Sequence, residues 1–376
     1  MKRPDVRCFI GDKRSAQNLL LVLRHMPSSC DISLVSDFNS YGYQLASKSR
    51  YGTIVLRGEN LNTINDYVSK ADLVICTMSD TDNVVESEAL KYACEKKKKL
   101  IILTDNVHNM DMPGWNYINY HIGINKDNII FIAHDFAHAS TIKNRWSDAK
   151  HIYTLGNPLY DEMVAETKKW HDCRQLYRNM YNLKDETILM LMRSYKDSPE
   201  IGIAKTSSEV IDILSRIGKG VFVSNIETDD NIRDLCLERN VQYIKDGSSN
   251  LNNSLVYMCD IVISESDYGT AEILASGVAR PVVIYNINET GKYWLKHDLK
   301  LESPRKLIGV EQKRALLSQN KLELEACIRK ALKPMTQKNL LKSYYAFPKS
   351  AEKIAELISA LAHMSQPKFS FFRRLS

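Results

Sequence analysis

Short aliphatic runs alternate with longer amphipathic stretches from the start of the chain. Val6–Ile10 reads as a strand, the polar turn Gly11-Asp12-Lys13-Arg14 ends it, and Ala16–Met26 then carries apolar residues at helical spacing. Asp31–Ser36, Thr53–Arg57 and Leu73–Thr77 are further strand candidates. Val84–Glu95 reads as a helix, Lys96–Lys99 as a solvated run, and Leu100–Thr104 as the next strand. Strands with no polar face, separated by helices, predict a parallel sheet covered on both sides.

The pattern then repeats. Asn128–Ala133 and His151–Leu155 complete the first series of strands, and a polar, aromatic helix is expected over about 161–182. A second series follows, with strands at Thr187–Met192, Gly220–Ser224, Val241–Ile244, Asp260–Ser264 and Pro281–Tyr285. The helices between them are expected at Glu209–Ile217, Asp230–Arg239, Asn250–Met258 and Ala271–Ser276. Leu301–Thr336 reads as mostly helical and polar, and Pro348–His363 as an amphipathic helix with Ile354, Ala355, Leu357, Ile358 and Leu361 on one face. Each half has its own βα alternation, so the fold class is α/β with two doubly wound domains. The expected boundaries are 1–165, a linker helix over 166–185, a second domain over 186–347, the closing helix over 348–365 and a tail over 366–376. A ligand is expected at the carboxyl ends of the strands, in the cleft that two such domains form.

Length agrees, since 376 residues at roughly 150 per domain favour two. Lys plus Arg number 51 against 45 Asp plus Glu, an excess enough for one phosphate-facing site but too weak for a nucleic-acid binder. The eight cysteines, Cys8, Cys30, Cys76, Cys94, Cys173, Cys236, Cys259 and Cys327, form no CxxC pair and several sit in apolar runs. They read as buried thiols of a reducing compartment, with no disulfide frame or zinc site. The longest aliphatic runs have strand length and no signal-like h-region opens the chain, so a cytoplasmic location is expected. The tail Gln366–Ser376 differs. Phe369, Phe371 and Phe372 stand with Lys368, Arg373 and Arg374 and no acid, which suits an anionic membrane surface or, alternatively, a frayed end packed on the protein.

The stretch Asp260–Tyr285 carries the clearest chemistry. A buried strand ends in small polar residues, a glycine turn follows, and a short helix opens with Glu272. Amide groups at such a helix start favour phosphate, and a carboxylate one turn in can accept from both ribose hydroxyls, which suits a nucleoside diphosphate. A plain βαβ crossover has the same letters. Together with Ile152-Tyr-Thr-Leu-Gly-Asn-Pro-Leu-Tyr-Asp161, Phe131-Ile-Ala-His-Asp-Phe-Ala-His138 and Tyr344–Ile358, the order resembles the UDP-N-acetylglucosamine 2-epimerase family and, more broadly, the two-Rossmann-domain glycosyltransferases called GT-B.

The resemblance implies two Rossmann-like domains facing a central cleft, with the closing helix crossing back to the first. It puts a phosphate-touching serine at Ser266 and a ribose-binding glutamate at Glu272, with Asp267, Tyr268, Gly269 and Thr270 between; Asp267 and Tyr268 replace the family's paired glycines. It puts phosphate contacts at Arg14 and Arg193, whose planar guanidinium can clamp a phosphate with two prongs. The epimerase set is incomplete: Met192-Arg193-Ser194 lacks the family's histidine, and Leu103–Asn109 has no glutamate. A glycosyltransferase needs a bound donor, a stabilised leaving phosphate and, if it inverts, one general base. Asp80, Asp82, Asp105, His108, His134 and Asp135 all lie at or just after expected strand ends of the first domain. Asp105 is the first candidate for the base and His108 the second, although each residue type also serves as a turn or helix cap. The expected partners are a nucleotide-sugar donor and a glycan or lipid-linked acceptor, with no metal and no cofactor. A divergent 2-epimerase, hydrolysing or not, and a non-catalytic nucleotide-sugar binder are the alternatives.

Overall fold

The computed structural model describes residues 3–11, 13–56, 61–77, 84–103, 114–162, 165, 174–193, 200–218, 220–224, 230–245, 256, 258–264, 280–285, 295, 303–311, 313–336, 339 and 349–364. The chain divides into two compact units, one of residues 1–161 and 346–376, the other of residues 162–345.

In the first unit seven strands form one parallel sheet: β1 (Asp5–Phe9), β2 (Asp31–Asp37), β3 (Gly52–Leu56), β4 (Leu73–Cys76), β5 (Leu100–Leu103), β6 (Ile129–Ala133) and β7 (His151–Thr154). Their order is β3-β2-β1-β4-β5-β6-β7, so the direction of winding reverses between β1 and β4. Alternate residues explain why the strands are apolar throughout. Val6, Cys8, Ile75, Ile101 and Ile130 share one core with Leu19 and Leu23 of α1 (Lys13–Leu23) and with Ile354, Leu357, Ile358 and Leu361 of the closing helix Ser350–His363. Their neighbours Phe9, Val74, Cys76, Ile102 and Phe131 are buried as well, so both faces are covered.

The closing helix therefore belongs to the first unit's core, as the amphipathic pattern and the family resemblance both require. Two details hold it. Its first turn has no side-chain cap of its own at Lys349, whose φ is 66°; instead Asp161 Oδ2 accepts from the Ser350 amide at 2.9 Å. At the other end Lys99 Nζ donates to the carbonyls of Leu361, at 2.9 Å, and Met364. Its neighbour Lys98 donates to Ser69 O and Ala71 O at 2.6 and 2.8 Å, closing α3 (Leu61–Lys70). The run Lys96–Lys99 is thus not simply solvated. Two of its four ammonium groups meet helix-terminal carbonyls, where cations are favourable, and burial lowers the pKa of both.

The second unit repeats the scheme with six parallel strands: β8 (Ile188–Arg193), β9 (Gly220–Ser224), β10 (Gln242–Lys245), β11 (Ile261–Ser264), β12 (Val282–Tyr285) and β13 (Ala315–Ser318), in the order β10-β9-β8-β11-β12-β13. Leu189, Leu191, Val262 and Ile284 face one core, and Met190, Met192, Ile261, Ile263 and Val283 the other, against the helices Glu200–Ile217 and Lys321–Ala331. β13 corrects the reading of Leu301–Thr336 as mostly helical. Its four residues are too few to show a period, and the sheet edge beside β12 recruits them. Helices α2 (Tyr41–Ala46), α3 (Leu61–Lys70), α5 (Gly114–Asn125) and α6 (Phe136–Arg145) are additions to the expected series. The expected helices over 250–258 and 271–276, and the middle of 161–182, lie wholly or largely outside the described residues.

Seven of the eight cysteines are described and all are free thiols, six of them buried. Burial pushes the Cys94 and Cys236 thiols up to about 12, so they stay protonated and inert.

Candidate functional site

In each unit the strand order reverses between two neighbouring strands, the point where open α/β sheets form a ligand crevice at the carboxyl ends. In the second unit those strands are β8 and β11, and their last residues, Arg193 and Ser264, stand in register. Ser264 is buried, and the chain leaves β11 toward Ser266, Asp267, Tyr268, Gly269, Thr270 and Glu272, which lie outside the described residues, as does the side chain of Arg193. In the first unit Arg14 is the second residue of α1, directly after β1, and its side chain too is outside the description. Asp80 and Asp82 fall between β4 and α4 (Val84–Glu95), and Asp105 and His108 after β5, again outside.

What is described at the first crevice is a polar layer just beneath the strand ends. Thr77, the residue after β4, is buried and donates to the carboxylate of Glu86, itself 3% exposed in the first turn of α4. That position suits an acid, because it faces free amides and the positive end of the helix. On the β1 side Ser36 Oγ donates to Ile10 O at 2.9 Å, and Gly42 packs so closely that an added Cβ would lie 3.0 Å from Gly11 O. A larger residue at 42 would displace the turn that follows β1.

The Gly-Asn-Pro motif builds the other wall. Gly156 has φ 92°, a conformation that favours glycine, and releases the chain from β7. Asn157 Oδ1 then accepts from the amides of Leu159 and Tyr160 at 3.0 and 3.3 Å, while Asn18 Oδ1 of α1 also accepts from Leu159 at 2.9 Å. These bonds fix the orientation of the Asn157 amide, leaving its NH2 3.3 Å from His134 Nε2. An amide NH2 can only donate, so in this contact His134 Nε2 is the acceptor. Asp135 is the N-cap of α6 (Phe136–Arg145), with Oδ1 accepting from the His138 amide at 2.8 Å, and His138 Nδ1 accepts from the His134 amide at 3.2 Å. Both candidates after β6 are thus engaged in holding the turn.

Ser15, Asn18, Thr77, His134, Gly156 and Ile354 help line a cavity of about 20 Å³. That is room for one water, not for a sugar. Sequence reasoning did not single out Asn18 or Glu86. Both are polar residues inside helical stretches, and only their burial at the strand ends marks them. Among the described residues no group of three or more His, Cys, Asp and Glu is placed to hold a metal, and no helix is long and apolar enough to cross a membrane.

No protein-family model matches the chain, and no curated protein matches it in sequence. Solved structures do. A UDP-N-acetylglucosamine 2-epimerase from Neisseria meningitidis bound to UDP-GlcNAc matches with a TM-score of 0.64 at 12% identity, over 95% of this chain and 99% of the other. The S. aureus MnaA–UDP co-structure matches with a TM-score of 0.60 at 12% identity, over 97% and 99%. A glycosyltransferase from Rickettsia africae matches with a TM-score of 0.60 at 13% identity, over 97% and 100%. Two Rossmann-like units with this strand order, matched end to end, give the chain the GT-B fold.

Proposed function

We propose that the chain is a glycosyltransferase that moves a sugar from a nucleotide-sugar donor to a glycan or lipid-linked acceptor, in surface polysaccharide biosynthesis. The observation that carries this reading is the strand-order reversal between β8 and β11, where Arg193 and Ser264 stand in register and the Ser266–Glu272 segment follows. Open α/β sheets bind ligands at such a point. In this reading Arg193 and Ser266 hold the diphosphate, the Asp267–Thr270 turn approaches it and Glu272 takes the ribose. Arg14 is a further phosphate contact. Asp105 removes the acceptor's proton, with His108 as second candidate and Asp80 and Asp82 behind them. The contact of His134 Nε2 with the Asn157 amide and the capping role of Asp135 support leaving those two out of the chemistry.

A transferase is favoured over an epimerase by the residues themselves. Met192-Arg193-Ser194 lacks the histidine of the epimerase pattern, and 103–109 contains no glutamate. The enzyme would work in the cytoplasm, with residues 366–376 touching an anionic membrane surface. Incubation with a panel of nucleotide sugars, with and without membrane extract, tests the reading. Release of nucleoside diphosphate that depends on the extract supports it. Conversion of the free donor to an epimer without any acceptor establishes the epimerase, and binding without turnover the non-catalytic alternative.

A further inference from the structure

At the amino ends of the second unit's strands, opposite the proposed donor site, two arginines share one carboxylate and a third stands beside it in the sheet register. Asp260 precedes β11; its Oδ2 accepts from the Leu189 amide at 2.9 Å and meets Arg178 Nη1 at 3.5 Å, while its Oδ1 pairs with Arg174 Nη2. Arg178, 2% exposed, also donates to the carbonyls of Lys184, Asp185, Thr187 and Met258. Arg280 comes two residues before Val282, and since Val262 pairs with Val282, the parallel register sets Arg280 opposite Asp260.

Arg280 is only 6% exposed, and it has no hydrogen bond or ion pair to any described residue. The Nε atoms of Arg174, Arg178 and Arg280 are all buried and all lack an acceptor. Cys259 beside them is held as a neutral thiol, its pKa pushed up to about 12 by burial. Among the described residues no second carboxylate pairs with these arginines, so three cations face one anion. Burying an unpaired charge costs several kcal/mol, and unsatisfied buried donors add to that. Burial and the neighbouring Arg174 lower the Arg280 pKa, as expected for a cation without its counter-charge. Arg174 and Asp260, at 31% and 17% exposure, give the cluster an opening to solvent.

We propose that Arg174 and Arg280, with the buried charge of Arg178 behind them, form a binding site for a small doubly charged oxyanion of the phosphate class. A dianion balances the excess of two positive charges, and guanidinium groups suit its geometry. The site is separate from the proposed donor crevice and does not depend on that reading.

Inorganic phosphate is the probe, titrated into the full chain by calorimetry at low ionic strength, with acetate as the monovalent control and Arg280→Met and Arg193→Met as variants. Saturable phosphate binding is expected in the wild type and in Arg193→Met, weaker by about tenfold or more in Arg280→Met and for acetate. Binding that survives in Arg280→Met, binding lost only in Arg193→Met, or no binding to the wild type at 10 mM-scale phosphate (roughly the upper limit of a useful site) overturns the proposal. Circular dichroism checks each variant's fold. If Arg280→Met does not fold, Arg280→Lys replaces it: it keeps the charge but loses the two-pronged contact, and undiminished phosphate affinity in it is equally contrary.

Discussion

Asp161 is the last residue of the stretch that opens with Gly-Asn-Pro, and its bond to Ser350 makes it the N-terminal cap of a helix almost two hundred positions later. Replacing it with alanine removes the cap. Loss of a helix cap costs about 0.5–2 kcal/mol. The carboxylate is a costly cap here, since burial raises its pKa while the Ser350 amide and Lys353 only partly offset that. A folded-state pKa above the unfolded value means the folded protein binds the proton more tightly, so this group's contribution to stability falls as pH rises through that window. Asparagine keeps an oxygen for the Ser350 amide and carries no charge. At pH 7, Asp161→Ala should lower the melting temperature by about 2–6 °C, from roughly 1–1.5 kcal/mol in a unit of this size, while Asp161→Asn should equal or exceed the wild type. Scanning calorimetry on the three proteins is the assay. An alanine variant within about 1 °C of wild type, or an asparagine variant as unstable as alanine, would refute the capping argument.

If Glu272 binds ribose, Glu272→Ala should weaken nucleotide binding by about 1.5–3 kcal/mol in calorimetry with the melting temperature nearly unchanged; unaltered affinity removes it from the site. His151, buried at the start of β7, has its pKa pushed down to about 4, first by burial and then by Lys150, with Asp127 opposing. The unfolded chain binds that proton at about 6.5, so stability should fall as pH drops from about 6.5 to about 4, by up to about 3 kcal/mol, and His151→Gln should flatten this limb in denaturant titrations. Deleting residues 366–376 should abolish sedimentation with anionic vesicles while sparing transfer to a short acceptor, each cation at the surface contributing about 1 kcal/mol. A full-length chain that ignores such vesicles at low salt disproves the membrane contact.

Twelve of the thirteen described strands were legible as strands because both faces of each sheet are covered, which leaves unbroken apolar runs such as Leu73–Cys76 and Leu100–Leu103. β13 was not, because a short edge strand alternates too briefly to separate from its polar surroundings. The lysine run misled for a related reason: composition marks Lys98 and Lys99 as solvated, while their roles depend on helix ends 27 and 262 residues away in sequence. At the candidate site the motif Gly156-Asn157 was visible, but its work was not. That Asn157 meets the His134 ring, and that Asp161 caps Ser350, are facts of long-range hydrogen bonding that no local pattern encodes. Glu86 and Arg280 looked like ordinary charges until burial set them apart.

Transfer to an acceptor is measured by following one radiolabelled nucleotide sugar in the presence and absence of membrane extract. A transferase releases nucleoside diphosphate together with an equal amount of label in the extract's glycan or lipid fraction, and without extract it consumes the donor only slowly by hydrolysis. Rapid conversion of the donor to its epimer, with no acceptor present and no label transferred, would contradict it.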